Sequence, residues 1–309
     1  MKIAKVVATA AALALAGGGA GLVVTAPSTL APELFKPRTA NLANGETMFD
    51  ISGCFSCHGT QDQKDRKRLG GGHAIKTPFG TFNVPNISPD SKAGIGAWTE
   101  PQFATAMLRG TGRNGEYLYP AFPYGSYQRM RLDDVRDLFA YLKTLPAEAS
   151  PSKPHDLKFP FNVRVALGAW KALYLDARTF EPDVSKDTAF NRGAYLVEGP
   201  GHCAECHSPR TMLGGIERGA RFSGGPDPEG KSYVPNITPH ANGLAKWSEK
   251  DIDYMLETGF TPDYDSVGSS MADVVENTAK LSAADRAAMA RYIAALPPRP
   301  GSRPRKSGG

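Results

Sequence analysis

The string Cys-x-x-Cys-His occurs twice, as Cys54-Phe-Ser-Cys57-His58 and Cys203-Ala-Glu-Cys206-His207, and together the strings use all four cysteines of the chain. Each lies inside its own copy of an internal repeat with a spacing of about 150 residues, whose landmarks recur in the same order. Val84-Pro-Asn-Ile-Ser88 matches Val234-Pro-Asn-Ile-Thr238, Trp98 matches Trp247, and Leu132 and Leu281 each open a terminal helix. Both copies close on Tyr-x-x-x-Leu-Pro, at Tyr141 and Tyr292. At 309 residues, 41% hydrophobic and 22% charged, the chain has the length and composition for two folded domains of ordinary size.

Within each copy the pattern predicts a helix running into the Cys motif, a long Gly/Pro loop, a short helix opened by the Trp, another loop and a terminal helix. The leading helices are expected over 41–52 and 191–198, and the terminal ones over 132–145 and 281–296. The terminal segments carry apolar residues at helical spacing (Val135, Leu138, Phe139, Leu142; Met289, Tyr292, Ile293, Leu296) and stop at Pro146 and Pro297. Alternation of apolar and polar residues is short everywhere, so the fold class is mainly α. Between the copies, 147–188 contains a run from Phe159 to Tyr174 too apolar for a plain linker, expected to be partly helical and to clamp the domains together. The predicted organisation is an N-terminal segment over 1–40, a first domain over 41–146, a connecting segment over 147–188, a second domain over 189–298 and a disordered tail over 299–309.

Two cysteines two residues apart at the end of a helix set both thiols along one edge of a heme, where each forms a thioether, and the adjoining histidine then reaches the iron. The cofactors implied are two covalently bound heme c groups, on Cys54, Cys57 and His58 and on Cys203, Cys206 and His207. Structural zinc needs four ligands, which pairs in separate repeats lack. A thioredoxin-like dithiol needs an alternating strand and helix pattern that is missing here.

A methionine sulfur opposite the histidine favours the ferrous state, whereas an open position binds small ligands. In the second repeat Met271, in an expected loop ten residues before Leu281, is the candidate metal ligand. The corresponding count from Leu132 falls on Phe122, which cannot ligate iron, so Met130 is the candidate for the first heme, with an open site, His73 and Met107 as the alternatives. Asn86 and Asn236 are placed to orient a loop or a heme propionate, or to stabilise turns. Trp98 and Trp247 suit packing on the porphyrin edge. Arg210 suits either a propionate or solvent.

Lys2 and Lys5 followed by 21 uncharged residues, Val6 to Ala26, form an export signal, either cleaved or retained as a single membrane anchor, which puts the remainder in the periplasm. The formal charge of +5 would be nearly cancelled by the propionates of two hemes, which leaves no case for nucleic-acid binding. The basic cluster Lys64-Asp65-Arg66-Lys67-Arg68 reads as a solvated loop, the alternatives being a contact with propionates or with an acidic partner.

Over residues 41–298 the chain resembles the multiheme c-type cytochromes that serve as electron-transfer subunits of bacterial membrane-bound alcohol, aldehyde and sugar dehydrogenases, and their two-heme relatives. The resemblance rests on Pro78-Phe-Gly-Thr81, Asn86-Ile-Ser-Pro-Asp90, Gly94-Ile-Gly-Ala-Trp98, Leu118-Tyr-Pro-Ala121, Pro123-Tyr124, Cys206-His-Ser-Pro-Arg210 and Val234-Pro-Asn-Ile-Thr-Pro239. It implies two tandem cytochrome c-type domains that take electrons from an exported dehydrogenase and pass them to a quinone, a terminal oxidase or a small cytochrome of the respiratory chain. Phe122 departs from the family's Pro-Ala-Met-Pro, and a third heme motif found in many members is lacking. The first departure motivates the competing expectation of a two-heme redox enzyme, of peroxidase or thiosulfate-oxidising type, with the first heme as catalytic iron.

Overall fold

The computed structural model describes residues 25–60, 63–227 and 232–301. Each repeat is organised around a helix pair that crosses at a glycine. In the first, α1 (Leu42–Ile51) starts on Asn41, whose side chain accepts from the Asn44 amide at 3.1 Å, and leads through the short α2 (Cys54–His58) that carries the first Cys motif. A loop and a hairpin of β1 (Ala74–Thr77) and β2 (Gly80–Asn83) follow, then α3 (Glu100–Arg109), α4 (Tyr124–Tyr127) and α5 (Leu132–Leu142). Helices α1 and α5 approach so closely at Gly45 that a Cβ there would strike the Asp137 carbonyl.

The connecting segment adds β3 (Asp156–Leu157) as a third antiparallel strand on β2, with Gly80 opposite Leu157, and then α6 (Leu167–Tyr174). The second repeat follows the same order: α7 (Thr188–Glu198), a 3-10 turn over Cys203–Glu205, the two-residue strands β4 (Gly225–Pro226) and β5 (Tyr233–Val234), α8 (Glu249–Thr258), α9 (Ser270–Thr278) and α10 (Ala283–Ala294). Here α7 crosses α10 at Gly193, whose absent Cβ leaves room for the Ala288 carbonyl. Capping boxes start α3, on Thr99 and Gln102, and α8, on Ser248 and Asp251. The described residues are mainly helical, and their buried apolar side chains from both repeats form one contiguous core.

Several boundaries differ from the sequence pattern for local reasons. Helix α7 begins at Thr188 rather than 191 because the Asp187 carboxylate caps it, accepting from the Phe190 amide at 2.9 Å. Trp98 and Trp247 do not open helices; each sits in the turn before the capping residue. Met271 lies in the first turn of a helix instead of a loop, since α9 begins at Ser270.

The segment over 147–188 contacts both repeats. Its start is held by Asn86, which donates to the Glu148 and Ser150 carbonyls at 2.6 and 2.9 Å. Farther on, the Lys171 ammonium donates to the Gly110 carbonyl of the first repeat at 3.2 Å, while the Trp170 indole donates to the Leu213 carbonyl of the second at 2.9 Å. The tail expected to be disordered from 299 is ordered at its start, where the Arg299 amide donates to Thr238 Oγ1 at 3.1 Å and its carbonyl accepts from Asn236 Nδ2 at 2.8 Å. Residues 1–24, which hold most of the expected export signal, and 302–309 lie outside the described residues. Among the described residues no helix is long and apolar enough to cross a membrane.

Candidate functional site

The two Cys motifs present their histidines in the same way. His58 Nδ1 lies 2.8 Å from the Pro85 carbonyl, and His207 Nδ1 lies 2.8 Å from the Pro235 carbonyl. That bond places the proton on Nδ1 and leaves Nε2 as the lone-pair donor, the tautomer an iron ligand needs. The loop behind each histidine is fixed by matching bonds: the Gly71 amide donates to the His58 carbonyl at 2.7 Å, and the Gly224 amide to the His207 carbonyl at 2.8 Å. The Val-Pro-Asn repeat thereby acquires a second purpose beside the loop and turn bonding expected of its asparagine. Its proline carbonyl orients the histidine, while Asn86 and Asn236 accept from the Ser88 and Thr238 amides at 2.8 Å and hold the segment that follows each terminal helix. Pro85 and Pro235 lie 27 and 28 residues after His58 and His207, a recurrence visible in the sequence, although only the folded loop selects their carbonyls as acceptors.

Burial pushes His58 down to about 4, against the opposing pull of the Pro85 carbonyl, and it lowers His207 in the same way, so both rings are neutral near pH 7. Desolvation pushes the thiols of Cys54 and Cys203 up to about 12. It raises Cys57, at the exposed rim, to about 11, with repulsion from Cys206 as the next contribution. No disulfide joins any of the four cysteines. Neutral, desolvated thiols are the reverse of an activated redox dithiol. Among the described residues no group of three or more His, Cys, Asp or Glu side chains gathers as a metal site. Paired neutral thiols beside an imidazole with a preset Nε2 fit a covalently attached heme.

The influence of Cys206 on Cys57 reflects how the motifs meet. The third residue of each reaches into the opposite repeat: Ser56 Oγ accepts from Asn277 Nδ2 of α9 at 3.0 Å, and the Glu205 carboxylate accepts from Ser126 Oγ of α4 at 2.7 Å. Glu205 also pairs with Arg210 at 2.7 Å, so Arg210 braces the second motif. The residue before each first cysteine is left-handed, Gly53 at φ 60° and His202 at φ 38°. His202 is held in that conformation by contacts across the interface, its Nε2 being 3.3 Å from the Ser52 carbonyl and its ring edge-on to Tyr127 at 5.5 Å between centroids. The basic cluster is likewise not a free loop, since Arg66 pairs with Glu276 of α9 at 3.0 Å and lies over the Phe55 ring at 4.8 Å.

The candidate sixth ligands differ in setting. Met130 is fully buried between α4 and α5, and Met271 is partly buried on the core. Phe122 packs edge-on to Tyr127, whose hydroxyl donates to the Ser52 carbonyl at 3.0 Å, just ahead of the first motif. Met107 is buried within α3, and His73 is exposed where β1 begins. His155 and His240 bond to Asn83 and Asn242 respectively.

The family model described as cytochrome c matches residues 42–146. A diheme cytochrome c-type protein of Cereibacter sphaeroides is 47% identical over 289 residues, covering 93% of this chain and 96% of that protein. The fructose dehydrogenase cytochrome subunit of Gluconobacter japonicus is 35% identical over 262 residues, covering 83% of this chain and 53% of the subunit. The cytochrome c subunit of the quinone alcohol dehydrogenase of Gluconobacter oxydans is 35% identical over 269 residues, covering 84% of this chain and 55% of the subunit. The chain therefore spans nearly all of the diheme protein and about half the length of the two dehydrogenase subunits.

Proposed function

The chain belongs to the cytochrome c family, and on that premise we propose that it is an electron carrier with two tandem heme domains. One heme is held by Cys54, Cys57 and His58 and the other by Cys203, Cys206 and His207. The observation that carries the reading is the direct meeting of the two motifs through Ser56–Asn277 and Glu205–Ser126, which couples two like sites inside one core. Bound heme supplies a one-electron couple at each site. The chain supplies the neutral imidazoles, the desolvated setting and a fixed spacing. Met271 and Met130 would supply the sulfur ligands to the two irons.

Relatives named as cytochrome subunits of alcohol, fructose and gluconate dehydrogenases support a dehydrogenase as donor. The acceptor we propose is a quinone, a terminal oxidase or a small cytochrome of the respiratory chain. The charged start followed by an uncharged run at Val6 to Ala26 supports work in the periplasm. Protein exported and matured in a bacterial host tests the proposal: its mass should carry two heme groups, and an optically monitored redox titration should resolve two one-electron steps. A mass excess of one heme or none defeats it. So does ready carbon monoxide binding by the reduced protein at neutral pH, which would mark an open, reactive iron.

A further inference from the structure

The two repeats differ where the hairpin after α3 or α8 meets its surroundings. The hairpins themselves are alike: each follows a left-handed glycine, Gly110 at φ 59° or Gly259 at φ 79°, and closes with a bridge, Thr111 to Tyr117 or Phe260 to Ser266. The Leu118 and Val267 amides donate back to those glycine carbonyls at 2.9 Å in both. In the first repeat this face is covered. Leu30 donates to Thr105 at 3.2 Å, and Lys171 of α6 lies over the Tyr117 and Tyr124 rings at 5.3 and 5.5 Å while bonding the Gly110 carbonyl.

In the second repeat the same face is bare and aromatic. Tyr254 is 52% exposed, Phe260 50% and Tyr264 97%, and with Asp251, Thr261 and Pro262 they line a cleft of about 510 Å³. Tyr264 is in the left-handed region at φ 60°, where the first repeat has Gly115 at φ 82°. A bulky residue is disfavoured there, and Tyr264 gains no burial in return. Asp263 and Asp265 are exposed on the same hairpin, and among the described residues no basic side chain pairs with either.

We propose that the aromatic, acidic cleft of Tyr254, Phe260 and Tyr264 docks an electron-transfer partner protein through an apolar helix bearing a lysine, the chemistry that α6 brings to the first repeat. Acidic groups beside exposed rings attract such a cation, and the rings provide faces for it. The hairpin continues through Val267 into α9, so docking occurs next to the segment that carries Met271. This inference rests on the electron-carrier reading for the partner's role, while the cleft's preference for a helix of this kind can be measured separately.

The probe is a fluorescent peptide of residues 162–175, titrated into the full-length holoprotein. Saturable binding is expected, weakened at least tenfold by Tyr254→Ser with Phe260→Ser, and at least tenfold when the lysine of the peptide is replaced by glutamate. Tyr264→Gly should weaken binding about threefold without lowering the melting temperature, because glycine suits the backbone there. Lack of saturable binding, or equal binding by the double variant, overturns the proposal. Self-association of the holoprotein that disappears in the double variant also overturns it, since the occupant is then a second copy. Redox titration of the same samples tests the carrier reading separately, as none of the three substitutions touches a proposed heme ligand.

Discussion

A c-type heme site asks for three residues at one spacing, and that covalent demand is why the proposed attachment residues Cys54, Cys57, His58 and their counterparts can be picked out in the bare sequence. The acceptors on the far side of each ring cannot, because a carbonyl belongs to every residue and only the folded loop selects Pro85 and Pro235. The sixth ligand is intermediate. A methionine is visible, but its angle to the iron depends on the helix that carries it. Met271→Leu keeps volume and apolarity, so its stability cost should stay under about 1.5 kcal/mol while one heme loses its sulfur ligation band and titrates at a lower potential. Met130→Leu is the matching test at the first heme. Met130 is fully buried, so Met130→Ala would confuse ligation with a cavity costing about 2–5 kcal/mol, whereas leucine alters the first heme's spectrum only if sulfur binds the iron.

At the scale of elements, the terminal helices were readable because their apolar stripes and closing prolines are strong local signals. Helix α9 was not, since Ser269-Ser270-Met271 has the composition of a loop, and its helical state depends on packing at Val275 and on Thr278, which bonds the Val274 carbonyl at 3.1 Å. The helix crossings were also silent in the sequence, because a glycine near a heme motif suggests a turn as readily as a close approach. Gly193→Ala should cost about 3 kcal/mol, read by denaturant unfolding, as its methyl would overlap the Ala288 carbonyl.

A pH effect belongs to the α1–α5 pair. Burial pushes the Asp137 carboxyl up, but bonds from Arg38 at 2.7 Å, the Asn41 amide at 2.9 Å and Asn44 Nδ2 at 2.9 Å outweigh it and hold the group below its ordinary 3.8. A lowered carboxyl stabilises the fold fully above its unfolded value and loses that contribution as pH falls through its folded one. Asp137→Asn should therefore cost about 2 kcal/mol at pH 7, cost less as the medium is acidified below about pH 4, and flatten the acid limb of the stability curve.

For the whole molecule, the sequence repeat announced two like halves but not their arrangement, since each interface residue, Ser56, Ser126, Glu205 or Asn277, is an ordinary polar side chain until the partner repeat is in place. On the proposed two-heme reading, the arrangement would make electron exchange between the sites a property of the interface. Ser126→Ala and Asn277→Ala remove the two reciprocal bonds without touching a proposed iron ligand. A part-buried hydrogen bond contributes about 1 kcal/mol, more when one member is charged, so Ser126→Ala, which takes a donor from Glu205, and Asn277→Ala, which also removes the Arg66 bond to Asn277 Oδ1, should each cost about 1.5–3 kcal/mol. The sites lie in one contiguous core, so the double variant should begin to unfold in two steps where the parent unfolds in one. Exchange between the hemes should slow in the same variant, read by flash photoreduction of one heme and optical detection of the other, with both equilibrium potentials nearly unchanged. Parent-like exchange in a double variant that has lost this stability would mean that the reciprocal bonds hold the repeats together without setting the distance electrons travel.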